Sequence, residues 1–108
     1  MILITGGAYQ GKGEFAKSLG IGTDKILFDA HLRIRELLEK GGDIKKEFEE
    51  LLSGVEAVIC DAIGMGIVPI DAAEREWREI VGRLMCDTAQ KADTVYRLVC
   101  GIPIKLKG

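Results

Sequence analysis

The feature that most constrains the fold is a glycine loop close to the start of the chain. Residues 6–13 read Gly-Gly-Ala-Tyr-Gln-Gly-Lys-Gly and follow a short apolar run over 1–5. This pattern predicts a buried parallel strand that ends at the glycines, followed by a helix over 11–19. A strand, a glycine-rich turn and a helix in this order open many α/β proteins with parallel sheets.

The rest of the chain alternates between strand-like and helix-like patterns. Strands are predicted over 25–28, 55–61 and 94–100, with a short last strand over 104–106, and helices over 31–40, 43–52 and from 71 onward. The last helix begins with a capping-box-like pair, Asp71 and Glu74. Its predicted buried face comprises Trp77, Ile80, Val81, Leu84, Met85 and Thr88, which follow helical spacing. We therefore expect a three-layer α/β fold of the P-loop NTPase type, with a mainly parallel sheet and helices on both faces.

Composition favours one compact domain and excludes several classes of protein. The 108 residues suit a single domain over 1–108, and the hydrophobic content of 47% suits a packed globule. The 15 basic and 17 acidic residues leave no basic surface for nucleic acid. No stretch is apolar enough for a membrane span, and the first residues lack the basic region of a signal peptide. These features predict a cytoplasmic protein.

The cysteines and the histidine give no metal or disulfide pattern. Cys60, Cys86 and Cys100 are widely spaced, and the chain has one histidine. Neither a zinc site nor a disulfide framework is therefore expected, and no metal ligands are predicted. Cys60 and Cys100 lie in apolar runs and are expected to be buried thiols.

The glycine loop carries the strongest chemical signal. Its G-x4-G-K spacing is the Walker A pattern, which binds GTP or ATP: backbone N–H groups surround the phosphates, and Lys12 meets the outer ones. The predicted phosphate-binding residues of the loop are Gly6, Gly7, Ala8, Gln10, Gly11, Lys12 and Gly13. A plain glycine turn with a solvated lysine is the alternative. Gly13 stands where the pattern has the Ser or Thr whose hydroxyl holds Mg²⁺, so binding of Mg²⁺ is in doubt.

A second candidate lies at the end of the strand over 55–61. Asp61 ends this strand, and the loop after it contains Gly64 and Gly66. Ligands of open parallel sheets sit at the carboxyl ends of strands, so this loop is predicted to face the same crevice as the glycine loop. Asp61 is then either a Walker B-like carboxylate or a simple turn-forming residue.

Two further sets of residues have both a functional and a structural interpretation. Arg75 and Arg78, with Arg83 one turn later, lie off the apolar stripe of their helix and flank Gly82. They bind phosphate or a partner, or they form a solvated helix face. His31 lies at the edge of an apolar stripe, and is either a half-buried structural residue or a participant in nucleotide chemistry.

Four segments together resemble a known family. These are GGAYQGKGEFAK at 6–17, GMGIVP at 64–69, REWREIVGR at 75–83 and VYRLVCGIPIKLK at 95–107. In order and spacing they are similar to adenosylcobinamide kinase/adenosylcobinamide-phosphate guanylyltransferase. The resemblance implies a nucleotide-binding enzyme of cobalamin biosynthesis that phosphorylates a corrinoid and then attaches GMP through a guanylylated histidine. It also implies catalytic roles for Lys12 and for His31, which falls in roughly the region of that histidine.

Departures from the family pattern keep other functions open. Gly13 replaces the serine of the family's loop, Asp61-Ala62 replaces Asn-Glu, and a central strand with its helices is missing. The alternative to phosphoryl or GMP transfer is therefore a nucleotide-binding or regulatory subunit that has lost Mg²⁺-dependent transfer. A third option is a homo-oligomer that completes the site with a partner chain, because a shortened sheet leaves an edge to cover.

Overall fold

The computed structural model describes residues 1–62 and 71–108, so the predicted loop glycines Gly64 and Gly66 lie outside the described residues. Five strands and four α-helices alternate along the described chain. In chain order they are β1 (Ile2–Gly6), α1 (Lys12–Ser18), a 3-10 turn (Thr23–Lys25), β2 (Ile26–Leu27), α2 (Ala30–Lys40), α3 (Ile44–Leu51), β3 (Ala57–Asp61), α4 (Ala72–Lys91), β4 (Thr94–Val99) and β5 (Ile102–Lys107). The predicted order of strands and helices is confirmed.

The strands form one sheet in the order β2-β3-β1-β4-β5. The first four are mutually parallel and β5 runs antiparallel to β4. The parallel pairs follow from the connections, because a chain that returns through a helix enters the sheet in the same direction. The mainly parallel sheet predicted from the sequence is therefore confirmed.

Helices cover both faces of the sheet, but unequally. Val58 and Cys60 of β3 point into a larger core formed with α2, α3 and α4, whereas Ala57 and Ile59 point into a smaller core formed with α1. This alternation is the period of two of a strand that is buried on both faces. The helices on both faces are confirmed, and the seven-residue α1 is the one α-helix of the smaller core in the described part of the chain.

The predicted cap of α4 is present, but the predicted second half of its capping box is not. Asp71 accepts a hydrogen bond from the Ala73 N–H at 2.8 Å, as an N-cap does. Glu74 instead pairs with Arg35 of α2, so this side chain ties two helices together. The face predicted to be buried is confirmed at its most buried positions, which are Trp77, Val81, Leu84 and Thr88. Within 1–62 and 71–108, no helix is long and apolar enough to cross a membrane.

The turn between β4 and β5 corrects two expectations. Cys100 and Gly101 have φ of 51° and 77°, the paired positive values of a tight hairpin turn. Cys100 is therefore exposed in the turn, and the expectation of a buried thiol there was wrong, whereas Cys60 is buried as expected. The hairpin also makes β5 longer than predicted, since it runs through Pro103, which an edge strand tolerates. Completion of the site by a partner chain stays a prediction.

Candidate functional site

The glycine loop owes its shape to two glycines with different roles. Gly6 ends β1 at φ 146°, and a Cβ there would lie 2.6 Å from the backbone oxygen of Leu98 in β4, so a side chain does not fit. Gly11 is the N-cap of α1 and has a left-handed backbone, with φ 78°, but a Cβ there would have no atom within 4 Å. Between them the loop doubles back, and the Lys12 ammonium donates a hydrogen bond to the Gly7 carbonyl oxygen at 2.6 Å.

Lys12 meets Asp61 at the carboxyl edge of the sheet. Gly6 and Asp61 are register partners on the parallel strands β1 and β3, so the loop starts beside this carboxylate. The Lys12 Nζ lies 2.8 Å from Asp61 Oδ1, with the lysine side chain 6% and the aspartate side chain 24% exposed. The structure thus brings together the two residues predicted to share a crevice.

His31 holds Asp61 from the other side. It lies in the first turn of α2, buried, and its Nδ1 accepts a hydrogen bond from the Asp61 backbone N–H at 3.2 Å. Its Nε2 lies 3.5 Å from Asp61 Oδ2. A neutral imidazole has one protonated nitrogen, so the proton belongs on Nε2 and faces the carboxylate. The indole N–H of Trp77 donates to the His31 carbonyl oxygen at 2.8 Å and fixes this end of α2.

Lys12, Asp61 and His31 are called the glycine-loop cluster below. Asp29, which the sequence pattern did not single out, stands next to it: ligand atoms of Asp29, His31 and Asp61 all lie within 4.8 Å of one another. Asp29 directly precedes α2 at φ 50°, and its side chain makes no capping bond. Its place between a predicted strand and a predicted helix was the available signal.

The donor set does not fit a metal ion ligated by His31. A histidine that binds metal through one nitrogen usually donates its other N–H to an acceptor. In His31, Nδ1 instead accepts a hydrogen bond from the Asp61 N–H, so it has no proton to donate to an acceptor. The Mg²⁺ ligand of a Walker A loop is also missing, because Gly13 has no hydroxyl group.

Phe28 lies beside the position that a Cβ of residue 13 would occupy. A Cβ at Gly13 would lie 3.4 Å from Phe28 Cε1, so a side chain there would contact the ring. The ring borders a cavity of about 300 Å³, whose lining includes Gln10, Lys12 and Asp29. This is the lower end of the range for sites that hold small molecules.

The helix arginines lie elsewhere. Arg75 is exposed, Arg78 lies 4.0 Å from Glu74 one turn away, and Arg83 pairs with Glu79. No arginine lines the Lys12 cavity in the described part of the chain. Their predicted role in phosphate binding stays a prediction.

A second cluster between α2 and α4 was missed from the sequence. The Arg35 guanidinium lies 3.8 Å above the centre of the Trp77 ring, and its Nη2 lies 2.8 Å from Glu74 Oε2. We call Arg35, Glu74 and Trp77 the helix-layer cluster. The spacing of His31 and Arg35, four residues apart on one helix, was the signal that places both beside Trp77.

Cys60 lies directly before Asp61, but its thiol is unreactive at neutral pH. Burial raises the pKa of its thiol to about 12, despite the backbone hydrogen bond at His31 that lowers it. Because a thiol reacts as the thiolate, Cys60 is not a nucleophile at neutral pH.

Fold and site together define an α/β protein with a mostly parallel sheet, in which a glycine loop presents a buried lysine to a strand-end aspartate. Residues 23–106 match the family of cobinamide kinase / cobinamide phosphate guanyltransferase, and the chain belongs to that family. The matched span begins after the glycine loop.

Two curated relatives match a shorter segment. The chain is 40% identical over 50 residues to the bifunctional adenosylcobalamin biosynthesis protein CobU of Salmonella typhimurium, and 38% identical over 50 residues to the protein of that name from Escherichia coli. Each match covers 46% of this chain and 28% of the relative. The chain therefore matches less than a third of the length of these relatives.

Proposed function

We propose that the chain binds a nucleoside triphosphate, GTP or ATP, at the glycine loop and acts in cobalamin biosynthesis by phosphoryl or GMP transfer to a corrinoid. The observation that carries this proposal is the buried Lys12 ammonium, held between the Gly7 carbonyl and Asp61 at the carboxyl edge of the sheet. A fixed cation at the end of a glycine loop is where a P-loop neutralises the outer phosphates.

The chain's own residues would act through position and charge. Lys12 would take the charge that develops on the transferred phosphoryl group, and backbone N–H groups of the loop would hold the phosphate oxygens. No step is assigned to Mg²⁺, since Gly13 offers it no ligand. A hydroxyl of the acceptor would attack the γ-phosphorus, forming a new P–O bond as the bond to the departing nucleoside diphosphate breaks, and the hydroxyl proton would pass to solvent.

The corrinoid acceptor is inferred from the family. Its name describes a kinase and a guanyltransferase that act on cobinamide and cobinamide phosphate, and both relatives are named for adenosylcobalamin biosynthesis. In the GMP reaction, a nitrogen of His31 would attack the α-phosphorus of GTP and release pyrophosphate. For Nδ1 to attack, its hydrogen bond from Asp61 has to break first.

Thermal unfolding with GTP, ATP and GDP, each with and without Mg²⁺, tests nucleotide binding. A ligand at a hundred times its Kd stabilises the folded state by about 2.7 kcal/mol, which raises Tm by several degrees in a domain of this size. Lys12→Gln should remove the shift, and Lys45→Gln, the same change at an exposed lysine of α3 outside the cavity lining, should keep it. If no nucleotide raises Tm, the proposal is wrong.

The second candidate function is a nucleotide-binding regulatory subunit without transfer activity. Gly13 favours it, because the loop has no metal-binding hydroxyl at this position, and a Cβ there would contact the Phe28 ring. Stabilisation by GTP that is the same with and without Mg²⁺ would support this candidate. The paired variant Gly13→Ser/Phe28→Leu should then gain Mg²⁺ dependence, whereas Phe28→Leu alone should not.

Labelling separates the two candidates further. Incubation with α-labelled GTP should leave acid-labile radioactivity on the protein if GMP transfer passes through His31, and His31→Ala should lose it. Formation of a phosphorylated corrinoid without protein labelling would support the kinase reaction alone. Binding without either product would support the regulatory subunit.

A further inference from the structure

The charges of the glycine-loop cluster are balanced before any ligand arrives. Lys12 and His31 are the two basic side chains that are buried in the described part of the chain, and no acidic side chain is buried there. Its ammonium has two partners there, the Gly7 carbonyl oxygen at 2.6 Å and Asp61 Oδ1 at 2.8 Å. A phosphate that is to pair with Lys12 therefore meets a carboxylate already in place.

Asp61 is held firmly in this position. Its backbone N–H is bonded to His31 Nδ1, and its second oxygen, Oδ2, lies 3.5 Å from His31 Nε2. The two carboxylate oxygens thus have separate partners, Lys12 on one and His31 on the other. His31 is in turn fixed through its carbonyl oxygen by the Trp77 indole. The contact with His31 therefore favours the position in which Asp61 faces Lys12.

We propose that Asp61 is an internal competitor for the phosphates, positioned by His31, and that a polyphosphate binds by taking Lys12 from Asp61. In this scheme His31 is a positioning residue, because its lone-pair nitrogen accepts the Asp61 N–H. The scheme therefore excludes the GMP route through His31 described under the proposed function and keeps the kinase route. The inference rests on the proposed phosphate site at the glycine loop.

The scheme predicts an unusual sign for one substitution. A strand-end aspartate that holds Mg²⁺ favours nucleotide binding, so its loss weakens binding. Asp61 as a competitor opposes binding, and Asp61→Asn should tighten it while keeping the backbone bond to His31. Removing a paired carboxylate that is partly shielded from water should strengthen binding roughly tenfold.

Asp29→Asn is the matched control. Asp29 places a carboxylate oxygen within 4.8 Å of the same groups but is not paired with Lys12 in the described structure. Asparagine also tolerates its left-handed backbone. The control removes the same charge and reports simple repulsion of phosphate, for which roughly two- to threefold tightening is expected.

The experiment measures the Kd of inorganic tripolyphosphate and of GTP, without Mg²⁺, for the wild type, Asp61→Asn and Asp29→Asn by isothermal titration. Tightening in Asp61→Asn several times larger than in Asp29→Asn supports the proposal. Equal changes in the two variants, or weaker binding by Asp61→Asn, overturn it while the proposed nucleotide site stands. If none of the three proteins binds either ligand, the proposed function fails and the inference fails with it.

Nitrogen-15 NMR of the single histidine gives an independent measurement at neutral pH. The expected spectrum has a proton on Nε2 and none on Nδ1, before and after addition of tripolyphosphate, because the Asp61 N–H keeps its acceptor. A merely buried histidine has no reason to keep this tautomer when the phosphate site fills. A proton on Nδ1, or a phosphorus–nitrogen bond to His31 after addition of GTP, overturns the positioning role.

Discussion

Two clusters that share α2, one through His31 and the other through Arg35, each pair a cation with a carboxylate at the same distance, yet they differ in what they can do. In the glycine-loop cluster Lys12 meets Asp61 at 2.8 Å, and in the helix-layer cluster Arg35 meets Glu74 at 2.8 Å. Both touch Trp77, which donates to the His31 carbonyl and lies beneath the Arg35 guanidinium. One indole therefore joins a candidate binding site to a structural contact.

Solvent makes the difference between them. Lys12 is 6% exposed, whereas Arg35 is 41% and Glu74 32% exposed. An exposed pair is screened and contributes little to stability, while a buried cation keeps its full preference for a negative partner. The comparison teaches that burial, and not the contact distance, separates a candidate functional pair from a structural one.

Trp77→Ala should have the largest effect, because it breaks both clusters at once. Loss of a buried tryptophan typically destabilises a fold by about 3–5 kcal/mol. Trp77→Phe keeps a ring beneath Arg35 but loses the hydrogen bond to His31, and should cost roughly 1–2 kcal/mol. Urea unfolding followed by far-UV circular dichroism measures both values. If both variants lost the same stability, the hydrogen bond to His31 would account for the effect of Trp77, and the volume of the ring would not.

Lys12→Met should separate the clusters by function. Loss of the charge-assisted contacts to phosphate should weaken GTP binding by about a hundredfold, equivalent to about 2.7 kcal/mol. Arg35→Met makes the same chemical change in the helix-layer cluster and should leave the Kd unchanged. Isothermal titration with GTP makes the comparison, and equal losses in the two variants would show that the glycine loop is not the binding site.

The buried Cys60 thiol should make the stability of the fold depend on pH, with an effect of intermediate size. The pKa of its thiol is about 12 in the folded chain against an ordinary value of 9.0, so the folded state keeps a proton that the unfolded state loses. Stability should therefore fall as pH rises above about 9, with roughly 1 kcal/mol lost at pH 10. Cys60→Ala should lack this part of the loss when urea unfolding is compared at pH 8 and pH 10.

Thiol accessibility checks the same burial directly. Cys86 and Cys100 are exposed and should react with a thiol reagent in the native protein, while Cys60 should react only after unfolding. Rapid reaction of all three would contradict the burial beneath Asp61.

Arg35→Gln should have the smallest effect. The exposed ion pair and the cation–π contact with Trp77 together should contribute no more than about 1 kcal/mol at low salt. Urea unfolding at low and high salt measures this contribution, which should shrink as salt screens the pair. A loss above about 2 kcal/mol would show that the exposed helix-layer cluster stabilises the fold as strongly as a buried ion pair does.

Local sequence patterns were enough to predict the sheet and most of the helices. The glycine loop after an apolar run predicted β1 and α1, and helical spacing predicted the buried face of α4. The expectation for Cys100 failed because apolar character alone does not distinguish a strand from the hairpin turn that follows it. A tight turn is determined by backbone geometry at two residues, which an average over a window conceals.

The site was predictable in part. Lys12 and Asp61 could be placed together, because Lys12 follows β1 and Asp61 ends β3, and the carboxyl ends of parallel strands reach the same edge of the sheet. Asp29 carried a weaker signal, its place between a predicted strand and a predicted helix, which does not by itself separate a site residue from an acidic residue that begins a helix. The tautomer of His31 and the contact of Phe28 with Gly13 depend on tertiary packing, and only the assembled fold reveals them.

Gly6 shows that a residue required for close packing can be mistaken for a residue required for ligand binding. A Cβ at this position would come within 2.6 Å of the Leu98 carbonyl, so every replacement forces β4 away from the strand that carries the loop. In a saturation mutagenesis screen, position 6 should tolerate no substitution and would score like a residue that touches ligand. Its intolerance should persist under selection for folding alone, whereas that of Lys12 should disappear.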